Sequence, residues 1–255
     1  MEQIAFSPAM AASYQEQGFL HVPGLLSPEE AAFYRGEVHS LAERMGPTDG
    51  TWESVKTTGT KLTHAHDVHF RSAAITRLLV DPRLTGIAQG IIGPNVQLHH
   101  NKMFIKPPEN GSPFPMHQDF PYFPHRDHSM IAVIIHFDDA PEEKGCLKVY
   151  PGTHRLGALG ATGSDHHQPE HLYPLSGATP IPAKAGDAIF FSYLLVHGSG
   201  VNVSDEPRTT LLIQLRDPAD VPLREGHTSR GQGMMLAGVD PSREPFRFAW
   251  DERAA

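Results

Sequence analysis

Cysteine occurs once in the 255 residues, as Cys146. A lone thiol excludes an intramolecular disulfide and fits a reducing setting. No apolar run approaches the roughly 20 residues a helix needs to span a bilayer. The opening MEQIAFSPAM lacks the basic-then-apolar pattern of a secretory signal. A cytoplasmic protein with no membrane partner is expected. No block of five or more like charges occurs, and the formal net charge is −8. That balance disfavours nucleic acid as a partner. There is no internal repeat. The glycine-rich Gly157-Ala-Leu-Gly-Ala-Thr-Gly163 lacks the flanking strand and helix of a phosphate loop, so a nucleotide site is rejected.

Turn formers and histidine are abundant. With 23 glycines and 23 prolines the chain has the punctuation of an all-β fold. Its 17 histidines are about twice or more an ordinary share. Imidazole is the commonest metal-binding side chain, so the count calls for a search.

Residues 8–17 and 28–45 read as helices, the second opening at Ser27-Pro-Glu-Glu30, an N-cap followed by proline and acids. Gly18-Phe-Leu-His-Val-Pro23 between them reads as a short strand. Residues 74–91 place Ile75, Leu78, Leu79, Leu84, Ile87 and Ile91 at helical spacing, with a break expected at Pro82. After Gly93-Pro-Asn95 come eight β-rich runs: 96–106, 115–119, 130–137, 146–150, 179–183, 187–191, 193–198 and 208–216. Their density suggests one mainly β domain over 1–255, a double-stranded β-helix (jelly roll, cupin-like) at 96–216. Residues 1–95 would form a mainly helical support layer and 217–255 a loop-rich extension. The polar stretch 155–178 is too long for a turn and is read as a lid.

The pattern His-x-Asp occurs at His117/Asp119, His125/Asp127 and His136/Asp138. On a strand, residues i and i+2 share a face, so an imidazole and a carboxylate can converge on one ion. Two histidines and one carboxylate leave open positions on iron(II) for a bidentate co-substrate and O2. The His125 pair looks like a turn, and Asp138 starts one. Strand order favours the first pair. If 96–106 is strand one, His117 and Asp119 end strand two and His197 lies on strand seven. Arg208 then opens strand eight. Strands two and seven are neighbours in this architecture, as are one and eight.

Several pieces in order resemble the phytanoyl-CoA dioxygenase family. They are Gly18-Phe-Leu20, Gly93-Pro-Asn95, Lys106-Pro-Pro-Glu109, His117-Gln-Asp-Phe-Pro-Tyr-Phe-Pro124, Gly145-Cys-Leu147, Pro151-Gly-Thr-His154 and Gly186-Asp-Ala-Ile-Phe-Phe191. The series ends with His197-Gly-Ser-Gly-Val-Asn202 and Arg208 eleven residues past His197. The resemblance spans about 8–216. It implies an Fe(II)- and 2-oxoglutarate-dependent dioxygenase, with His117, Asp119 and His197 on iron. Arg208 and Ser199 would hold the distal carboxylate of 2-oxoglutarate, and Lys102 would face the co-substrate. Family members often carry tryptophan where this chain has Ile134. Halogenating relatives of this chemistry lack the carboxylate that Asp119 supplies, so oxygenation is expected.

Chemistry supports Arg208 independently, because a buried carboxylate needs a fixed, charge-assisted partner. It also separates this reading from a cupin-like metalloenzyme without 2-oxoglutarate, while the intact His117/Asp119/His197 set argues against a third reading, a non-catalytic binding domain. Strand parity puts Thr210, Leu212, Gln214 and Arg216 on the face of Arg208. Gln214 and Arg216 are therefore expected beside a small-molecule substrate, together with Tyr122 and Ile134. The competing reading of Arg216 is a solvated side chain at the end of its strand.

Overall fold

The computed structural model describes residues 4–45, 62–160, 166–224 and 229–241. Four helices form early in the chain. Helix α1 is Pro8–Gln17 and α2 is Pro28–Met45. The Ser27 side chain accepts from the Glu30 amide at 3.2 Å while Glu30 reaches back to the Ser27 amide at 2.8 Å. This reciprocal cap satisfies two amides that the first helical turn cannot. The expected third helix is two: α3, Ala73–Leu79, and α4, Pro82–Ile92. Asp81 caps α4 and Pro82 sits at its first position, so the proline starts a helix here.

The strands are β1 Phe19–Val22, β2 Thr63–His66, β3 Val96–Lys106, β4 Phe114–His117, β5 Ile131–His136 and β6 Leu147–Val149. They continue as β7 Thr179–Ile181, β8 Ala188–Ser192, β9 His197–Ser199, β10 Arg208–Arg216 and β11 Met235–Ala237. A seven-stranded sheet runs β1-β8-β5-β10-β3-β11, with β2 also on β3. A four-stranded sheet runs β4-β9-β6-β7. These curled antiparallel sheets are the jelly roll expected. Strands one and eight of the reading are the paired β3 and β10, and strands two and seven are β4 and β9.

Alternation along β10 sorts its side chains. Leu211, Ile213 and Leu215 face the helices, packing with Val38, Leu78 and Ile87 in the main core. Each such fully buried aliphatic contributes roughly 1.5–3 kcal/mol, so this layer is a major stabiliser. Arg208, Thr210, Leu212 and Gln214 face the space between the sheets. On β3 the register shifts between Gln214↔His100 and Leu215↔Leu98, a bulge at His99. One extra residue keeps Leu98 on the helix side, as Met103 is, while Lys102 and Phe104 point between the sheets.

Three details depart from the sequence reading. The runs 115–119 and 193–198 shorten to Phe114–His117 and His197–Ser199, so Asp119 lies beyond its strand. Strand β2 falls inside the region read as helical support, and β11 inside the region read as loop. Of the expected lid, 161–165 lie outside the described residues, as do 225–228 and 242–255 of the extension.

Candidate active site

His117 and His197 face each other directly across the β4–β9 pair, ring centroids 4.2 Å apart. Each ring is locked in the same way. The Nδ1 of His117 lies 2.7 Å from the Pro115 carbonyl and that of His197 lies 2.9 Å from the Leu195 carbonyl. A carbonyl only accepts, so both Nδ1 atoms carry the proton and both Nε2 atoms present lone pairs.

Asp119 reaches them from a turn. Its backbone has left the strand (φ −76°, ψ −22°), and the amides of Asp119 and Phe120 both donate to the Tyr193 carbonyl, at 2.9 and 3.2 Å. Convergence therefore comes from this turn and not from strand parity alone. The Asp119 Oδ1 stands 3.5 Å from His117 Nε2 and 3.8 Å from His197 Nε2. One donor atom from each of the three lies within 4.8 Å of the others, the only such trio of His, Cys, Asp or Glu among the described residues. Gln214 Nε2 donates to Asp119 Oδ2 at 2.6 Å and fixes the carboxylate.

Burial opposes ionisation of Asp119, but the two imidazoles and the Gln214 amide outweigh it and hold the carboxyl at about 2. Burial, reinforced by His117, pushes the His197 ring down to about 4. An ionised carboxylate and a neutral imidazole are the states a metal ligand needs. This donor set fits iron(II) with open positions.

His117 and Asp119 line both of two chambers, which also share Phe104, Phe114 and Leu212 as walls. The inner one, about 90 Å³, takes in Arg208, Ser199, Thr210, Ile134 and His136. Arg208 is 6% exposed, and one guanidinium nitrogen donates to the Gly145 carbonyl. No acid pairs with it among the described residues, and its Nε has no partner. Burial draws it down to about 10, which still leaves it charged at neutral pH. Gly145 has φ +67°, and a Cβ there would come within 2.3 Å of the Gly200 carbonyl, so only glycine lets this loop close.

The outer chamber, about 260 Å³, takes in His100, Lys102, Tyr122, Phe123, His167 and Gln214. Three of the residues expected at the site fall as follows. Lys102 lies in this chamber, away from Arg208, because it is opposite Leu212, four residues along β10. Ile134 lies in the inner chamber, so it walls the side of Arg208 and not the outer space. Arg216 shares the face of Gln214 but lines neither chamber. It donates to the Asp220 carbonyl, and its strand has by then run past the opening. Nor is it the solvated side chain of the competing reading, because β10 runs on to Arg216 and the side chain is partly buried. Tyr122 lines this chamber at its rim, 37% exposed.

Two residues went unassigned by sequence reasoning. Lys106, fully buried, donates to the Ser199 hydroxyl at 2.8 Å and the Gly200 carbonyl at 2.6 Å. Parity with Lys102 carried that signal. Gln118 points away from the trio, donating to the Leu194 and Gly157 carbonyls and accepting from the Leu159 amide. It ties the start of the long loop to the ligand strand. Further along the same loop the Gln168 amide donates to the Met116 carbonyl, which brings His167 against His117. His171 is exposed and apart, and no second metal cluster forms among the described residues.

The sequence profile of the phytanoyl-CoA dioxygenase (PhyH) family matches residues 14–210. The ectoine dioxygenase of Nocardia farcinica is 29% identical over 224 residues, covering 79% of this chain and 75% of the relative. The solved structure of the epimerase SnoN in complex with Fe3+, alpha ketoglutarate and nogalamycin RO aligns with a TM-score of 0.72 at 25% identity. It covers 89% of this chain and 97% of SnoN. EctD from S. alaskensis with 2-oxoglutarate and 5-hydroxyectoine gives a TM-score of 0.75 at 22% identity, over 94% of this chain and 86% of EctD, a likeness of fold. With a matching profile over most of its length, this chain belongs to the phytanoyl-CoA dioxygenase family and is an oxidoreductase of the dioxygenase class.

Proposed function

We propose that this protein is an Fe(II)- and 2-oxoglutarate-dependent dioxygenase that hydroxylates an unactivated carbon of a small molecule. The observation that carries this reading is Arg208: a buried cation with no acidic partner, facing a chamber that adjoins the trio. A desolvated charge is costly unless an opposite charge joins it. The distal carboxylate of 2-oxoglutarate supplies one, whereas a metalloenzyme without that co-substrate has no use for the cation.

His117, Asp119 and His197 would hold the iron, and Gln214 would keep the Asp119 carboxylate turned toward it. Iron with 2-oxoglutarate supplies oxidative decarboxylation to succinate and CO2 and the oxidant for a C–H bond. Phe104, Phe114, Leu212 and Phe191 give the inner side a mostly apolar wall, and in such surroundings the pairing of the buried Arg208 with a carboxylate is stronger than in water. Ser199, already accepting from Lys106, has its hydroxyl hydrogen left to donate to that carboxylate.

Substrate would enter the outer chamber, past Tyr122 and His167. Lys102 has no hydrogen bond or ion pair there among the described residues. Burial lowers its pKa against the pull of Asp119 and Asp67. Its ammonium favours a substrate with an acidic or strongly accepting group. The residue expected for that task, Arg216, is tied to Asp220 instead.

The reading is tested by anaerobic titration of 2-oxoglutarate into iron-loaded protein. Removing one partner of a buried charge pair costs roughly 2–5 kcal/mol, so Arg208→Ala should weaken co-substrate binding by about 30-fold or more while iron content persists. Unchanged affinity would sink the reading. Succinate release across a panel of small acids, scored above uncoupled turnover, then identifies the substrate.

A further inference from the structure

His136 ends β5 opposite Thr210 and lines the inner chamber. It is 1% exposed, and neither ring nitrogen has a hydrogen-bond partner. Its own main chain is satisfied, since its amide donates to the Asp187 carbonyl at 2.9 Å and its carbonyl accepts from the Gly186 amide at 2.8 Å. The isolated feature is therefore the ring. Leaving two buried polar atoms unpaired costs free energy at each, and native interiors rarely tolerate it without a function or a ligand.

The neighbours narrow the choice. Arg208 lies diagonally across from His136 on the same inward face of the sheet, two residues from Thr210, within reach of a long side chain. Its Nε also has no partner. Burial and the adjacent guanidinium push the His136 ring down to about 3, so it is neutral and carries one N–H donor. A neutral donor and a cation, both unsatisfied and both facing one cavity, ask for the same guest: an anion with several acceptor lone pairs.

On that basis, and resting on the function proposed above, we infer that His136 is a second anchor for the distal carboxylate of 2-oxoglutarate, donating a ring N–H beside Arg208. Arg208 supplies charge and the ring supplies direction. Because the imidazole sits in the wall of a chamber of about 90 Å³, it also selects for a 2-oxo acid that ends in a carboxylate at that depth.

The test uses Mn(II)-loaded protein and calorimetry, so that no turnover is needed. Ligands are 2-oxoglutarate and 2-oxovalerate, which has the same chain length but no distal carboxylate. His136→Phe keeps the ring shape and removes both nitrogens. It should weaken 2-oxoglutarate by about tenfold or more, the size of a hydrogen bond to a charged group, and leave 2-oxovalerate unchanged. His136→Asn or His136→Gln should restore most of the loss, since each keeps an N–H. Equal losses for both ligands, or none, would make His136 ordinary wall packing and overturn the inference. If the wild type binds Mn(II) but no 2-oxoglutarate, the proposed function itself fails, a result distinct from either. A second reading needs no variant. In Zn(II)-loaded wild type, 2-oxoglutarate should protect one histidine ring N–H from solvent exchange and 2-oxovalerate should not, and no difference between the two ligands counts against the anchor.

Discussion

Phe104, Phe114 and Leu212 wall both chambers, yet the two sides treat polar groups differently. On the inner side the charged group is arginine, and its β10 strand is paired on both edges, to β3 and β5. Its guanidinium is held by a carbonyl from a loop that only glycine permits. On the outer side the charged group is lysine on a flexible stem, and the rim comes from a short 3-10 turn ending at Tyr122 and from His167. A rigid fork in a paired sheet suits a guest that never changes. Lys102 also stands on a strand paired on both edges, between β10 and β2, so the difference lies in its flexible stem and in the rim, where loops accept substitution more readily than central strands.

That contrast can be broken by mutation. The largest effect is expected at the boundary. Asp119→Ala should abolish iron binding and with it all 2-oxoglutarate turnover, read as metal content after anaerobic loading. If iron stays and only turnover goes, the trio is not the metal site. The next effect is at Gln214. Substitution by leucine removes the 2.6 Å contact to Asp119 while keeping the volume. Partners of metal ligands typically matter by about 10–100-fold in affinity, and chelator competition should find a loss in that range. At saturating metal the co-substrate should bind as before. An effect on 2-oxoglutarate alone would move Gln214 to the co-substrate site. The smallest effect is expected at Lys102. Lys102→Met should weaken acidic substrates by about fivefold, a partly screened charged contact, and should spare neutral ones and uncoupled decarboxylation. A matching loss of 2-oxoglutarate affinity would erase the distinction between the chambers as drawn.

Much of this site was readable in the sequence because β10 is long. Nine residues of clean alternation carry Arg208, Thr210, Leu212 and Gln214 to one face, whatever the rest of the barrel does. The pairing of β4 with β9 followed from strand order, and with it the convergence of His117 and His197. What parity could not supply was distance along the face. Arg216 has the correct side but lies past the opening, and Lys102 has it but belongs to the other chamber. Strands of three or four residues offer no periodicity to read. Thr63–His66 and Met235–Ala237 are strands only because β3 is there to pair with them. His136 ends β5, and nothing in one sequence says that its ring would find no partner.

The ligands also act on the sheet that carries them. β4 is a four-residue edge strand with only two residues in register with β9, Phe114 opposite Ser199 and His117 opposite His197. An ion held by both histidines would therefore be a clasp across a short seam of the barrel, fastened where only two residues are in register. Amide exchange in β4 and β9 should slow when iron is loaded, while β5 and β8, zipped over five positions, should not notice. Loss of iron would then leave the jelly roll standing with one edge unbuttoned, and an edge strand without its fastening is the place where a neighbouring chain can begin to pair.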